Sequence, residues 1–185
     1  MRSRQHVDAT IAECAAGTIR RDLVTWTTTG FFNHCALSDL QMMVPLDDPV
    51  GMLADWKQRI EVYPKQLRRA ILREHLQAAA FWPHNFHFSS VVERADVIYT
   101  TGIVQQVLHN LVQVLFALNE VYFPGDKKLA EALRHLRRIP DGFVDRMLDL
   151  LAPAHALSVA ALREQQQTLQ ALLAETEALV GDQRC

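Results

Sequence analysis

The most apolar part of the chain runs from residue 97 to residue 119 and contains no Asp, Glu, Lys or Arg. Within it, apolar residues recur at alternating steps of four and three: Val104, Leu108, Leu111, Leu115, Leu118 and Tyr122. This spacing predicts one continuous helix face. A second apolar line widens that face beyond half the circumference: Ile103, Val107, Val114 and Val121. We therefore predict a central bundle helix at about residues 90–122, covered by other helices.

Four polar, uncharged residues form a stripe on this apolar helix: Gln106, His109, Asn110 and Gln113. A buried amide without a hydrogen-bond partner costs roughly 2–7 kcal/mol. We therefore predict a helix in a protein core and no membrane span, although the uncharged run is long enough for one. The stripe indicates either a buried hydrogen-bond network or the wall of a polar pocket. Gln106 and His109 are candidate substrate-binding residues on the second interpretation.

Apolar periodicity and capping residues predict six further helices. Asp48 as N-cap and Pro49 at the first helical position start one that ends near Ile60, and Pro64 starts the next. The predicted helices cover about residues 1–17, 48–60, 64–81, 127–138, 143–151 and 153–180. Residues 21–29 are rich in β-branched side chains and predict a strand, whereas residues 40–44 predict a second strand or an extended linker.

The predicted fold is mainly α. It is a four- or five-helix bundle around the central helix, with a small β-containing N-terminal appendage. The joint is placed at residues 45–49, where two prolines flank two aspartates. We therefore predict an appendage at residues 1–44 and a helical bundle domain at residues 45–185.

The composition indicates a globular protein of modest net charge that works in a reducing compartment. The 185 residues are 49% hydrophobic with a formal net charge of −2, so nucleic acid is not an expected partner. Cys14, Cys35 and Cys185 are odd in number and far apart, which favours free thiols in the cytoplasm. Charged residues interrupt the first apolar run, so no signal peptide is predicted.

Several short strings resemble one known family. They are Ala95-Asp96, residues 112–120 (VQVLFALNE), Tyr122-Phe123 and Asp126-Lys127. Together they resemble the helical C-terminal half of a little-characterised family of bacterial nucleotidyltransferase-like proteins, related to the aminoglycoside nucleotidyltransferases. The likeness spans roughly residues 22–133. It implies that residues 1–44 are a remnant of an α/β nucleotidyltransferase-type unit, and that the rest is the substrate-binding helical domain.

The resemblance implies Mg²⁺ and an NTP for a complete family member, held by an Asp-x-Asp pair and a Gly-Ser turn. Nucleotidyl transfer needs paired carboxylates to hold the metal against the triphosphate. No Asp in this sequence has another Asp two positions later, and no Gly is followed by Ser. We therefore expect no complete catalytic site, no catalytic residue and no cofactor in this chain. Whether Met1 is the genuine start is open.

The resemblance suggests a substrate cleft for a small-molecule acceptor at the start of the central helix. In the aminoglycoside relatives, acidic and aromatic residues of the helical domain receive the substrate. Here the corresponding candidates are Glu93, Asp96 and Tyr99. The alternative is that these first-turn acids complement the helix dipole, with Arg94 paired to one of them.

Three further candidate substrate-binding residues lie at the other end of the central helix. Asn119 and Tyr122 close it, and Lys127 follows the Pro-Gly break. Asn119 is expected to tie down a loop or a neighbouring helix, because a buried amide needs partners. Lys127 could reach a nucleotide phosphate if a catalytic domain docked nearby, or it is an ordinary surface lysine.

The alternative function is a helical interaction module, or a ribonuclease-like toxin component acting as a dimer, for which Arg69 and His75 have the spacing. His84 and His87 lack a third ligand at a metal-binding spacing, so no metal site is predicted. We expect either a homodimer or docking to a catalytic domain. The homodimer would form through an apolar patch at Trp26, Phe31 and Phe32 or, less so, through a leucine seam on the last helix.

Overall fold

A computed structural model describes residues 3–23, 27, 29–152 and 158–182. Its elements follow the chain in this order: α1 (Arg4–Ala15), β1 (Arg21–Asp22), β2 (Phe31–Phe32), α2 (Cys35–Met42), α3 (Met52–Arg59), α4 (Lys65–Phe81), α5 (Phe86–Glu93), α6 (Val97–Leu118), α7 (Leu129–Arg134), α8 (Phe143–Leu151) and α9 (Val159–Gly181). The described residues are mainly helical and include one small two-stranded sheet, as the sequence predicts.

Helix α6 is the centre of the fold. It packs against α4, α5, α8 and α9, and Leu111 and Leu115 are fully buried among them. It is long and apolar enough to cross a membrane by length and composition alone, but 72% of its most apolar window is buried inside the protein. The predicted central helix is confirmed as the core of a helical bundle.

The predicted start of this helix near residue 90 is wrong. Helix α5 ends at Glu93, and Ala95 turns the chain in the left-handed region with a φ of 53°. The N–H of Asp96 donates to the carbonyl of Val91 at 3.0 Å, which closes the turn. The side chain of Asp96 then accepts the N–H of Tyr99 and caps α6, so the long helix begins at Val97.

Asp48 caps α3 from a position several residues before the helix begins. Its carboxylate accepts the N–H groups of Met52, Leu53 and Ala54 at 2.8, 3.0 and 3.2 Å. The helix therefore begins at Met52 and not at Pro49. The next helix, predicted from Pro64 to residue 81, runs from Lys65 to Phe81.

The strand predicted as one alternative for residues 40–44 is wrong, because α2 extends to Met42 and buries Leu37 and Leu40 on one side. The other alternative, an extended linker, describes only Met43 and Val44. The strand predicted at residues 21–29 is observed only at Arg21 and Asp22, and residues 24–26 and 28 lie outside the described part. β1 pairs antiparallel with β2, with Arg21 opposite Phe32 and Asp22 opposite Phe31.

The N-terminal segment packs into the bundle. Val7, Ile11 and Cys14 of α1 and Leu37 and Leu40 of α2 form one apolar cluster with bundle residues such as Ile60, Leu67, Ile71 and Tyr122. Phe32 is only 3% exposed, so its predicted place in an uncovered apolar patch is wrong. Trp26 lies outside the described residues. The domain division at residues 44 and 45 stays a prediction, although apolar contacts cross it.

The leucine seam of the last helix faces inward. Leu162, Leu169 and Leu172 of α9 are buried in the main core, where α9 packs on α5, α6 and α8. The suggestion that this seam joins two copies is therefore wrong. Because α9 covers α6, its apolar side is used for that contact.

Candidate functional site

A polar cleft of about 1040 Å³ lies between α1, the β1–β2 hairpin, the start of α2 and the loop that follows α6. Most of the residues that line it have charged or polar side chains: His6, Thr10, Arg20, Arg21, Asp22, Thr27, Asn33, Asp39, Asp126 and Lys127. We call it the polar cleft. Both signs of charge face it, so it suits a ligand that carries polar groups of more than one kind.

The hairpin separates the polar cleft from a second one. Phe31 lines the polar cleft, whereas the next residue, Phe32, lines a smaller cleft of about 430 Å³ on the other side. This follows from the two-residue period of a strand, which sends successive side chains to opposite faces. The long side chain of Arg21 borders both clefts, and its guanidinium lies 5.5 Å from the centre of the Phe32 ring.

Asn33 anchors the base of the hairpin. Its Oδ1 accepts the N–H of Arg20 at 3.1 Å, and its Nδ2 donates to the carbonyl of Thr18 at 2.9 Å. Gly30 has a φ of +88°, and a Cβ there would lie 2.9 Å from the carbonyl oxygen of Asp22. The close approach of the two strands therefore requires glycine at this position.

Arg20 is held away from a ligand by an ion pair. Its Nη2 and Nε contact Glu13 Oε2 at 2.6 and 2.9 Å, and this pairing lowers the pKa of the Glu13 carboxyl. Exposed Lys127 remains on the opposite wall, beside Asp126, whose Oδ1 accepts the hydroxyl of Thr29 at 3.4 Å. The structure thus brings the predicted residue Lys127 into the polar cleft.

The smaller cleft is lined by two histidines from the middle of the bundle, and we call it the histidine cleft. His75 of α4 and His109 of α6 lie in its wall, together with Gln105, Gln106 and Asn110. Phe32 covers this group from the hairpin side. Its ring centre is 5.2, 5.3 and 5.7 Å from the ring centres of His34, His75 and His109. The predicted residues Gln106 and His109 therefore share one cleft.

Hydrogen bonds fix the protonation of His75. The amide of Asn110 donates through Nδ2 to the carbonyl of Gln106 at 2.8 Å, so its Oδ1 accepts from His75 Nδ1 at 2.7 Å. In the neutral ring Nε2 is then an acceptor, and it has no partner among the described residues. Burial lowers the pKa of His75 and keeps the ring neutral, although the bond to Asn110 opposes that shift.

The two neighbouring histidines are also neutral. Burial lowers the pKa of His34 to about 4, against the raising effect of its 3.0 Å bond to Gln113. Burial, aided by the neighbouring His75 and Arg21, lowers the pKa of His109 to about 4. His34 Nδ1 and His109 Nε2 likewise lack a partner among the described residues.

The predicted acidic and aromatic group at the start of the central helix has structural partners. Glu93 makes two contacts with Arg163 of α9 at 2.5 and 2.7 Å, and this pairing lowers the pKa of its carboxyl. Asp96 caps α6, and Tyr99 packs its edge against Trp82 with ring centres 6.0 Å apart. Neither cleft includes these three residues. Arg94 donates to Ser90 rather than to an acid.

Asn119 and Tyr122 hold the far end of the bundle together. Asn119 donates to the carbonyls of Leu115 and Arg138 and accepts the N–H groups of Arg137 and Arg138, all at 2.8–3.1 Å. The expectation that it ties down a loop is confirmed. The hydroxyl of buried Tyr122 donates to the carbonyl of Ile60 at 3.2 Å, and its ring stacks on Tyr63.

The eight predicted binding residues therefore do not form one site. Helix α6 has 22 residues, so its ends are about 33 Å apart at 1.5 Å per residue. Glu93, Asp96 and Tyr99 lie near one end, Lys127 lies beyond the other, and Gln106 and His109 line the histidine cleft between them. The toxin pair is also separate, since Arg69 lines a groove against α9 while His75 faces Phe32.

Sequence reasoning missed Arg21 and Asn33, which line these clefts, and His34, whose ring packs beside Phe32. His34 meets Gln113 across 79 positions, and no local spacing could indicate that contact. In the described part of the chain, no group of three or more His, Cys, Asp or Glu side chains is arranged to hold a metal ion.

One comparison with known proteins gives a match. The model of a family described as a domain of unknown function, DUF4037, matches residues 32–129, which is just over half of the chain. The matched range begins at Phe32 and includes Asp126 and Lys127, so it takes in one wall of each cleft. No curated protein and no solved structure matches the chain.

Proposed function

The chain belongs to the DUF4037 family, and we propose that it is the substrate-binding helical part of a nucleotidyltransferase-like protein. In this proposal the polar cleft receives the acceptor, a small molecule that bears amine or hydroxyl groups. The chain supplies binding and no complete chemistry, because its sequence lacks the paired carboxylates and the Gly-Ser turn. Mg²⁺ and an NTP would belong to the complete family member.

One observation carries the proposal. Asp126 and Lys127, which end the strings that resemble the nucleotidyltransferase-like family, lie in the wall of the polar cleft. The loop that contains them follows Phe123, which is buried in the core. Small-molecule sites are concave, span about 300–1,000 Å³, and use a few placed polar groups to fix the orientation of the ligand.

The charges of the polar cleft favour an acceptor with both donor and acceptor groups. Asp22, Asp39 and Asp126 contribute carboxylates, and Arg21 and Lys127 contribute cations. Carboxylates bind ammonium and hydroxyl groups, and a lysine or arginine nearby can hold a phosphate that approaches the acceptor. The cleft would thus present an acceptor group to a transferred nucleotide.

The test is a calorimetric binding assay on the intact chain with a panel of amino sugars, polyamines and amino acids. We expect at least one probe to bind saturably, and Asp126→Asn to weaken it about tenfold, the loss of one charge-assisted bond. Lys127→Gln should also weaken binding, whereas Lys128→Gln, on the adjacent residue outside the cleft lining, should not. Failure of every probe, or binding that ignores Asp126 and Lys127, would contradict the proposal.

A second candidate function is a helical interaction module, and one surface favours it. Large apolar side chains are exposed on the segment between α2 and α3: Met42, Met43, Val44, Leu46 and Val50. An apolar groove lined by Met42, Met43, Met52 and Trp56 lies beside them. Such a surface suits docking of a catalytic domain or of a second copy.

We also propose that the protein works in the cytoplasm. The described thiols, Cys14 and Cys35, are free and buried. Burial raises the pKa of each thiol to about 12, which keeps both unreactive. Free thiols of this kind fit a reducing compartment.

A further inference from the structure

The histidine cleft has a composition that the proposed function does not use. Its volume of about 430 Å³ falls within the range of small-molecule sites, about 300–1,000 Å³. The hairpin divides it from the polar cleft, so a ligand could occupy either cleft without entering the other. Several of its groups can form hydrogen bonds with a ligand.

Unpartnered imidazole nitrogens are the unusual feature of this cleft. His75 is only 4% exposed, and its Nε2 lacks a partner among the described residues, as does Nε2 of His109. Leaving a buried acceptor without a hydrogen bond costs about 1–3 kcal/mol. Two such atoms in the wall of one cleft favour a ligand that can satisfy them.

The protonation state of His75 decides which ligand chemistry fits. Its Nδ1 hydrogen is used by Asn110 Oδ1 at 2.7 Å, so Nε2 offers a lone pair. A lone pair accepts a hydrogen bond from a hydroxyl and repels the oxygens of a phosphate or a carboxylate. The ligand must therefore be a hydrogen-bond donor at this position.

The remaining lining has no net charge that would select a charged ligand. Glu74 and Arg21 contribute one charge of each sign. Gln106 Oε1 accepts the indole N–H of Trp82 at 3.2 Å, so its amide nitrogen is the group left to donate. With Gln105 and Thr29, the cleft thus offers donors and acceptors in a mixture that matches a set of hydroxyl groups.

We propose that the histidine cleft is a second binding site, for an uncharged polyhydroxylated molecule of about the size of a monosaccharide. A hydroxyl group of the ligand donates to His75 Nε2, a second pairs with His109 Nε2, and the side chains of Gln105 and Gln106 bind neighbouring hydroxyls. Because both nitrogen atoms are buried, the ligand must displace a side chain to reach them.

The experiment is nuclear magnetic resonance of the intact chain labelled with ¹⁵N-histidine, titrated separately with glucose, myo-inositol and inorganic phosphate. We expect glucose or myo-inositol to move the Nε2 resonances of His75 and His109 saturably, since these resonances report hydrogen bonding directly. His84 and His87, which line neither cleft, are internal controls and should not move. Phosphate should leave all four histidines unchanged.

Two variants locate the binding. Gln105→Ala changes an exposed side chain of the cleft and should weaken the sugar or polyol about fivefold, the value of one hydrogen bond. Gln58→Ala, at an exposed position on α3, should have no effect. The proposal fails if neither glucose nor myo-inositol moves His75 and His109, if phosphate moves them, or if Gln105→Ala leaves the affinity unchanged. None of these results bears on the polar cleft.

Discussion

At the scale of single residues, Phe32 links the fold to both clefts. It lies in the range that the family model matches, and its ring contacts three histidine rings. It also belongs to the hairpin whose other face lines the polar cleft. Its burial was missed because the sequence suggested an exposed patch. No periodicity could reveal that three histidines from three different helical segments surround this ring.

Phe32→Ala should lower the free energy of unfolding by about 3–5 kcal/mol, the usual range for removing a buried aromatic ring. The histidines beneath it would also lose their cover. Denaturant melts of the intact chain measure the change. Phe31→Ala is the matched control, since Phe31 is only half-buried on the other face of the strand, and it should cost clearly less. Equal losses for the two variants would contradict the burial described here.

The histidine cluster predicts a loss of stability in mild acid. The pKa values of His34 and His109 are lowered to about 4 in the folded chain, from an ordinary value of 6.5. Between these values the unfolded chain binds more protons, so stability falls as the pH falls from about 6.5 towards 4. The groups that face the cluster from neighbouring elements are Arg21, Glu74, Asp126 and His75.

We expect the free energy of unfolding to drop by on the order of 2–4 kcal/mol between about pH 7.5 and pH 5. Carboxyl groups with lowered pKa values, those of Asp8, Glu13 and Glu93, act at lower pH, because their ordinary values are 3.8 and 4.5. Urea melts across the range give the slope. His87→Gln, on an exposed histidine, should leave the slope unchanged. A flat profile above pH 5 would contradict the buried, neutral cluster.

At the scale of elements, local pattern was sufficient where one helix face meets the core. Apolar spacing, together with Pro, Gly and Asp residues at the helix ends, predicts the helices at residues 64–81 and 143–151 and the core of α6. The predictions failed where contacts with other elements decide the local structure. Residues 40–42 continue a helix because Leu37 and Leu40 pack against α1 and α3 side chains, and the chain breaks at Ala95 because α5 must turn before α6 begins.

Helix α3 offers a test of one cap. Asp48→Ala removes the acceptor of three backbone N–H groups and should lower the free energy of unfolding by about 1–2 kcal/mol. Asp47→Ala changes an exposed neighbour and should cost almost nothing. Denaturant melts of the two variants in parallel give the comparison. An equal effect would show that Asp48 does not cap this helix.

Helix α6 offers a test of the core. Leu115 is fully buried at its centre, so Leu115→Ala should cost about 2–5 kcal/mol. Ile98→Ala, on the same helix but 88% exposed, should change stability by less than about 1 kcal/mol. A loss under about 1 kcal/mol for Leu115→Ala would mean that α6 is not the core of the protein.

At the scale of the whole molecule, two of the surfaces first expected to pair copies are used inside the fold. Phe32 covers the histidines, and the α9 leucines cover α6. The homodimer stays a prediction, now carried by the exposed apolar segment at residues 42–50. The predicted site residues are dispersed through the fold for a related reason. Sequence resemblance to a family reflects packing as well as binding, and Asn119 and Tyr122 belong to packing.

Light scattering on the intact chain at micromolar concentrations tests the dimer. We expect twice the monomer mass, and a return to monomer for Leu46→Asp, because a buried charge at that position would destabilise the interface. Val62→Asp, on an exposed apolar residue outside residues 42–50, is the control and should stay dimeric. A monomeric intact chain would contradict the prediction and would favour docking to a different partner.

The central claim is that the polar cleft is where a small acceptor binds. The most direct measurement is a crystallographic fragment screen of the intact chain with amine- and hydroxyl-bearing fragments. We predict that bound fragments cluster between the hairpin and the loop at residues 124–127, within hydrogen-bond distance of Asp126 or Lys127. Fragments that bind elsewhere on the surface and leave this cleft unvisited would contradict the claim.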